Sequence, residues 1–367
     1  MTGLYIHIPF CRSKCYYCDF YSLAGNTELL GSYVDALLKE VQIHSGMAFD
    51  TLYIGGGTPS LLDVAGLEKL AEGLHQHFDL SGLREATIEA NPESACPAFM
   101  QAALKCGFNR LSLGAQSLND GELAKAGRIH TSAQALEAVK TAIKSGFSNV
   151  STDVIIGLPG QTEVSLEDTI NRLAESGVSH LSAYCLSVEE GTPFACRPPR
   201  DLPDDDRQAD LYTKACGLLK GHGFIHYEIS NFALPGKESL HNLNYWKGGE
   251  YLGLGPFSAS YLDGRRVKNI ATLQEYLDNP LSCRLEEDSV SATARPAEEA
   301  MLRLRLLEEG LDLRLLERKY GMDNVCGLET RLEELAVRKL LVRQDNSYRL
   351  ASDAVLIANQ AFAQVIE

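Results

Sequence analysis

The sequence contains no run of about 18 apolar residues, so nothing in it reads as a membrane span. No charged segment followed by an apolar core opens the chain, and no secretory signal is expected. It also lacks a basic excess. Lys+Arg 34 against Asp+Glu 49 leaves a net charge of −15, which favours solubility and disfavours nonspecific binding to nucleic acid or anionic membranes. Ten cysteines in a chain without a signal suggest reduced thiols, three of them ligands and the other seven mostly small core residues. What remains is 367 residues, 45% hydrophobic and 23% charged, an ordinary balance with ample material for a large core. That length exceeds an average domain, although barrels often pass 200 residues. A cytoplasmic protein with no nucleic-acid partner is expected.

The most informative stretch lies near the start. Cys11, Cys15 and Cys18 form a C-x3-C-x2-C motif in a short loop. Thiolates are soft ligands that select zinc, cuprous copper or iron–sulfur clusters. A closed structural zinc site needs four protein ligands, and three argue for a metal centre with one position open. A zinc knuckle is the competing reading of the spacing. The segment 4–8 reads as a strand and Pro9-Phe10 ends it, so the thiols leave the C-terminal end of a first strand, where barrels keep their active sites.

Downstream the chain alternates. Strands are expected at 51–54, 85–91, 109–116, 150–158 and 180–188, with helices at 29–45, 61–78, 98–105, 132–144, 164–176 and 207–220. Gly107, Gly146, Gly177 and Gly223 each stop a helix, and the apolar residue that follows opens the next strand. Six such units, with a short seventh strand at 225–229, predict an α/β fold. The expected form is a partial (β/α)6 TIM-like barrel over 1–235, with an open doubly wound sheet as the alternative. An aromatic segment and linker follow at 236–280. Residues 281–367 read as a small C-terminal helical domain, winged-helix-like, with helices at 297–307, 313–320 and 328–338 and a hairpin at 340–350. Its many glutamates favour a structural or protein-docking role over DNA binding.

Polar residues cluster at the strand ends. Gly55-Gly56-Gly57 offers a loop without side chains, which lets backbone N–H groups approach a ligand, or simply makes a tight turn. Glu89, Gln116, Arg128 and Asp153 fall on successive units, as in a ligand-lined barrel mouth.

Residues 5–18, Gly55-Gly56-Gly57-Thr58-Pro59 and Gly157-Leu158-Pro159-Gly160-Gln161-Thr162 resemble the radical S-adenosylmethionine (radical SAM) superfamily. Within it they resemble the branch that holds oxygen-independent coproporphyrinogen III dehydrogenases and heme chaperones. The resemblance implies a [4Fe-4S] cluster on Cys11, Cys15 and Cys18 whose fourth iron is open to S-adenosylmethionine. It also implies that Tyr5, Tyr17, Gly55, Gly56, Gly57, Thr58 and Glu89 line the S-adenosylmethionine site, and that Gln116, Arg128 and Asp153 contact a second one.

Three features separate the two relatives. Phe20 stands where the dehydrogenase pattern has a further cysteine, and only ten residues precede Cys11, leaving no room for the dehydrogenase's N-terminal extension. His241-Asn242-Leu243-Asn244-Tyr245-Trp246 matches H-N-x-x-Y-W, a pattern of the heme-chaperone branch. A histidine there could ligate heme iron while Tyr245 and Trp246 pack on the porphyrin. One departure is Ala259, which stands where the family usually has a histidine. The resulting expectation is a heme chaperone that hands heme to an apo-hemoprotein, with peripheral contact to membrane hemoproteins. The competing expectation is oxidative decarboxylation of coproporphyrinogen III.

Overall fold

The computed structural model describes residues 1–282, 285–288, 291 and 293–366. Strands β1 (Thr2–Ile8), β2 (Thr51–Gly56), β3 (Glu85–Ala90), β4 (Arg110–Gln116), β5 (Asn149–Ile156) and β6 (His180–Cys185) pair in chain order, all parallel. Each is followed by a helix: α1 (Leu30–Ile43), α2 (Val64–His77), α3 (Pro97–Lys105), α4 (Ser132–Ser145), α5 (Glu163–Glu175) and α6 (Asp205–Gly221). Parallel neighbours need such crossovers, and the six units form the expected partial barrel.

Period-two alternation gives the strands two different faces. Leu4, Ile6, Ile8, Leu52, Ile54, Ile88, Leu111 and Leu113 belong to the main core beneath the helices. On the other face Tyr5, Tyr53, Thr87 and Arg110 form one cross-strand row, and Glu89 pairs with Ser112 above it. Helix stops behave as read: Gly146 closes α4 at φ 117° and Gly177 follows α5 at φ 94°. Capping boxes at Thr131 and Thr162 start α4 and α5.

The seventh strand, β7 (Ile225–Glu228), exists but does not sit beside β6. Only Ile229 and Ser230 separate it from β8 (Asn231–Ala233), which folds back between them, antiparallel to both. Phe232, 1% exposed and paired with Leu181, is the apolar residue that draws β8 into that edge.

The stretch 236–280, read as an aromatic segment and linker, is built into the same sheet. It holds helix α7 (Leu240–Trp246), β9 (Glu250–Leu254), β10 (Ala259–Leu262) and β11 (Arg265–Asn269). Strand β9 runs parallel to β1 and covers its open edge, making seven consecutive parallel strands. Asp263 and Gly264, at φ 50° and 73°, make the two-residue hairpin between β10 and β11, an Asp-Gly signal present in the sequence. β12 (Leu285–Asp288) adds a further antiparallel strand, so the C-terminal unit begins after it rather than at 281.

That unit has its own core around Leu304, Leu316, Leu328, Leu332, Tyr348 and Phe362. Helices Arg295–Arg303, Leu313–Tyr320 and Cys326–Val337 and a three-stranded sheet give the winged-helix-like arrangement. A last helix, Ala358–Ile366, was not expected from the sequence. Among the described residues no helix is long and apolar enough to cross a membrane.

Candidate functional site

The cysteine loop is tied shut at its base. Phe10–Cys11 pairs with Leu23–Ala24, and Leu23 and Gly25 donate their N–H groups to Pro9 and Cys11 at 2.9 and 3.0 Å. Its tip is anchored where the Tyr16 N–H meets the Ala126 carbonyl at 3.0 Å. Cys11, Cys15 and Cys18 all open onto one cavity of about 380 Å³, with Tyr17, Gly56, Gly57, Thr58, Glu89, Gln116, Arg128 and Asp153. Members of both groups expected for separate S-adenosylmethionine sites, Tyr5 and Gly55 apart, therefore share one space.

Donors already address two of the thiols. Thr58 Oγ1 donates to Cys11 Sγ at 3.5 Å, and Arg128 Nη1 to Cys15 Sγ at 3.4 Å. Arg128 is fixed by its other nitrogen, which donates to Asn91 Oδ1 and the Gly114 carbonyl, both at 2.7 Å. Burial pushes the Cys18 thiol up to about 11, partly opposed by a hydrogen bond from the Phe20 backbone. A positively charged metal centre is what would hold such a group as thiolate. Three thiols, adjacent donors and room above them fit a sulfur-ligated cluster with a small molecule beside it.

Gly56 and Gly57 line the cavity, but their N–H groups and that of Thr58 are engaged within the protein. Gly56 donates its N–H to Glu89 Oε2 at 3.3 Å, Gly57 to the Ile8 carbonyl at 2.8 Å and Thr58 to Phe10 at 2.7 Å. These donors are spent within the protein, so the glycines serve close packing. A Cβ on Gly57 would lie 2.5 Å from the Phe10 carbonyl oxygen. Gln116 sits at φ 66°, at a register break in β4, and accepts from the Tyr184 hydroxyl at 3.4 Å. A strained residue of this kind is common where a site imposes its geometry.

Glu89 accepts from the Tyr53 hydroxyl at 2.6 Å. Burial raises it to about 7 against the Tyr53 bond, with help from Asp153, while burial raises Asp153 itself to about 6 against Arg110. The folded chain thus holds the Glu89 proton more tightly than the unfolded chain, whose ordinary value is 4.5. Its contribution to stability is full at low pH and lost as pH rises through about 7. In metal-free protein Glu89→Gln, which cannot ionise, should gain on the order of 2 kcal/mol relative to wild type between about pH 5 and 8. Unfolding midpoints of both proteins across that range check this, and a constant gap would contradict it.

Tyr5 lies outside this cavity. Its hydroxyl meets His7 Nδ1 at 2.9 Å and its ring stacks on Tyr53 with centroids 6.2 Å apart. With Tyr53, Gly56, Glu89, His241 and Tyr245 it lines a neighbouring space of about 240 Å³. Gly55 is packed against Tyr53 and Glu89 and lines none of these cavities.

His241 is not displayed on a loop. It lies in α7, 1% exposed, with Nδ1 at 2.9 Å from Thr51 Oγ1 and Nε2 at 2.8 Å from the Tyr245 hydroxyl. Burial, aided by Arg110, lowers it to about 3, so the ring is neutral and both nitrogens are engaged. Buried Glu85 caps α7, accepting from Leu240 and His241 N–H at 2.9 and 3.0 Å. Tyr245 and Trp246 face a third cavity of about 440 Å³, which Ala259 also lines. Sequence reading missed Asn91, Tyr184 and Arg110. Asn91 precedes Pro92 at a strand end and carries a local signal, whereas Arg110 looks like any strand residue.

The profile of the radical SAM superfamily matches residues 5–173. The chain is 35% identical to a protein of Lactococcus lactis named heme chaperone HemW, over 100% of this chain and 97% of that one. A Bacillus subtilis protein of the same name is 32% identical over 99% and 98%. Among solved structures, the Escherichia coli radical SAM enzyme HemN, coproporphyrinogen III oxidase, superposes with a TM-score of 0.87 at 22% identity, covering 100% of this chain and 90% of that one. That last likeness establishes the fold alone. With a three-cysteine loop after the first strand of a partial barrel, and relatedness along its whole length, the chain belongs to the HemW branch of the radical SAM superfamily.

Proposed function

We propose that the chain binds heme and delivers it to an apo-hemoprotein in the cytoplasm, reaching membrane hemoproteins by peripheral contact. The observation that carries this reading is chain-long similarity to proteins named heme chaperones. Cys11, Cys15 and Cys18 hold the [4Fe-4S] cluster of the superfamily, and the cavity beside them takes S-adenosylmethionine. When reduced, that cluster supplies one electron to the sulfonium of S-adenosylmethionine. Arg128 balances thiolate charge at Cys15, and the Thr58 hydroxyl donates a hydrogen bond to the Cys11 sulfur. Glu89 and Asp153, both poised near neutrality, offer acceptors for an amino group and hydroxyls.

Phe20 supports the chaperone over the dehydrogenase. It lines the cofactor cavity at 65% exposure and offers no thiol where the dehydrogenase pattern has one. Anaerobically reconstituted protein is therefore expected to bind about one heme per chain and to form no protoporphyrinogen from coproporphyrinogen III with reductant and S-adenosylmethionine. Parallel titrations with the two tetrapyrroles check this. Steady turnover of coproporphyrinogen III would replace the chaperone reading with the enzyme.

A further inference from the structure

The H-N-x-x-Y-W segment does not present its histidine to a ligand, yet its last two residues open onto the cavity of about 440 Å³. That volume falls within the usual range for cofactor pockets. The cavity lies between α7, strands β9 to β11 and the first helices of the C-terminal unit. Its walls are aromatic: Trp246, Tyr251 and Tyr261 stand around it, with Tyr251 edge-on to Tyr245 at 4.6 Å between centroids. An aromatic-walled space of this size suits a flat, largely apolar ring.

Two of the residues that line it each carry a buried donor that has no partner among the described residues. These donors are the indole Nε1 of Trp246 and the Nε of Arg295, whose Nη2 alone is used, donating to the Gly264 carbonyl at 2.9 Å. Buried donors of this kind ordinarily find an acceptor. The ionised residues that line the cavity are Arg266, Arg295, Glu298 and Glu299. Glu298 is paired with Arg266, and Glu299 with both Arg303 at 2.8 Å and Lys319 at 2.6 Å, so both carboxylates of the lining are engaged by cations other than Arg295. An anionic group on an apolar ring complements that arrangement.

Building on the heme reading above, we propose that heme seats in this cavity, with Arg295 as the anchor of a propionate. His241 then acts as a positioning residue, holding the Tyr245 hydroxyl from behind instead of ligating iron. Tyr5 lines both this cavity and the small one, which in turn shares Phe20, Gly56 and Glu89 with the cofactor cavity, so the small space lies between the porphyrin seat and the cofactor.

The test is a hemin titration of anaerobically reconstituted wild type, Arg295→Gln and Ala259→Trp, followed by the Soret band, with cluster iron and circular dichroism measured on each. Ala259 lines the cavity, and an indole there fills it. Arg295→Gln should weaken binding about ten- to hundredfold, the size expected for a hydrogen bond to a charged group. Ala259→Trp should weaken it at least as much, with cluster content unchanged. Heme dimethyl ester, whose propionates are capped, should bind wild type and Arg295→Gln alike. His241→Ala should leave the Soret maximum of bound heme in place, because no axial ligand is lost. If wild type binds heme and both cavity variants match it, the seat lies elsewhere while the chaperone reading stands. If wild type binds none, that reading itself fails. Should Ala259→Trp lose its cluster through misfolding, the comparison of hemin with its ester on Arg295→Gln decides alone.

Discussion

Cys15→Ser should strip iron from the reconstituted chain, from about four atoms per chain to background. The three thiols share one cavity. A serine hydroxyl is a harder and far less acidic ligand, so it cannot replace the thiolate. The change also strands Arg128, whose Nη1 loses the sulfur it faces at 3.4 Å. Cys326→Ser, at an exposed cysteine in the C-terminal unit, is the control and should keep its full iron. Iron and acid-labile sulfide, measured after identical anaerobic reconstitution, decide the matter. Full iron in Cys15→Ser would remove Cys15 from the ligand set.

The second large effect is expected from a single methyl group. Gly57→Ala places a Cβ 2.5 Å from the Phe10 carbonyl oxygen and 2.9 Å from that of Ile8. Both obstacles are backbone, and both belong to the segment that launches the cysteine loop. They cannot rotate aside as a side chain would, so either β2 or the loop must shift. Overpacking of this kind costs about 1–3 kcal/mol, and here the strain falls on the residue before Cys11. Lower thermal stability should therefore come with a cluster that forms poorly and with weakened S-adenosylmethionine binding. Gly31→Ala, within α1 and with nothing within 4 Å of its new carbon, should be neutral or slightly stabilising. Equal cluster yield in both variants would show that the Gly57 contact is relieved at no consequence to the site.

The parts of this molecule legible in the sequence are those with local causes. Strand–helix alternation, glycine stops and three closely spaced thiols each act within a few residues, and the six-unit barrel follows from them. The parts that were not legible depend on distant partners. Nothing around Leu240 announces that its N–H will meet Glu85, 155 positions earlier, or that Thr51 will occupy His241. The H-N-x-x-Y-W pattern did not reveal that His241 is held by Thr51 and Tyr245, since a histidine beside two aromatics looks the same whether it faces a ligand or a threonine. Strands β9 to β11 escaped because their aromatic and charged residues obscure the usual apolar alternation. The Asp263-Gly264 turn was the one clear signal there.

The pairing of β9 with β1 has a consequence for how the chain is made. Leu4, Tyr5 and Ile6 find their partners at Leu252, Gly253 and Leu254, about 250 residues later. At typical synthesis rates the ribosome needs roughly 12 to 50 s to cover that distance. Throughout that interval one side of an apolar strand shows unpaired N–H and C=O groups to the cell, an invitation to foreign strands. Nascent chains truncated between α6 and β9 should accordingly be the aggregation-prone species, and chains released after β9 the well-behaved ones.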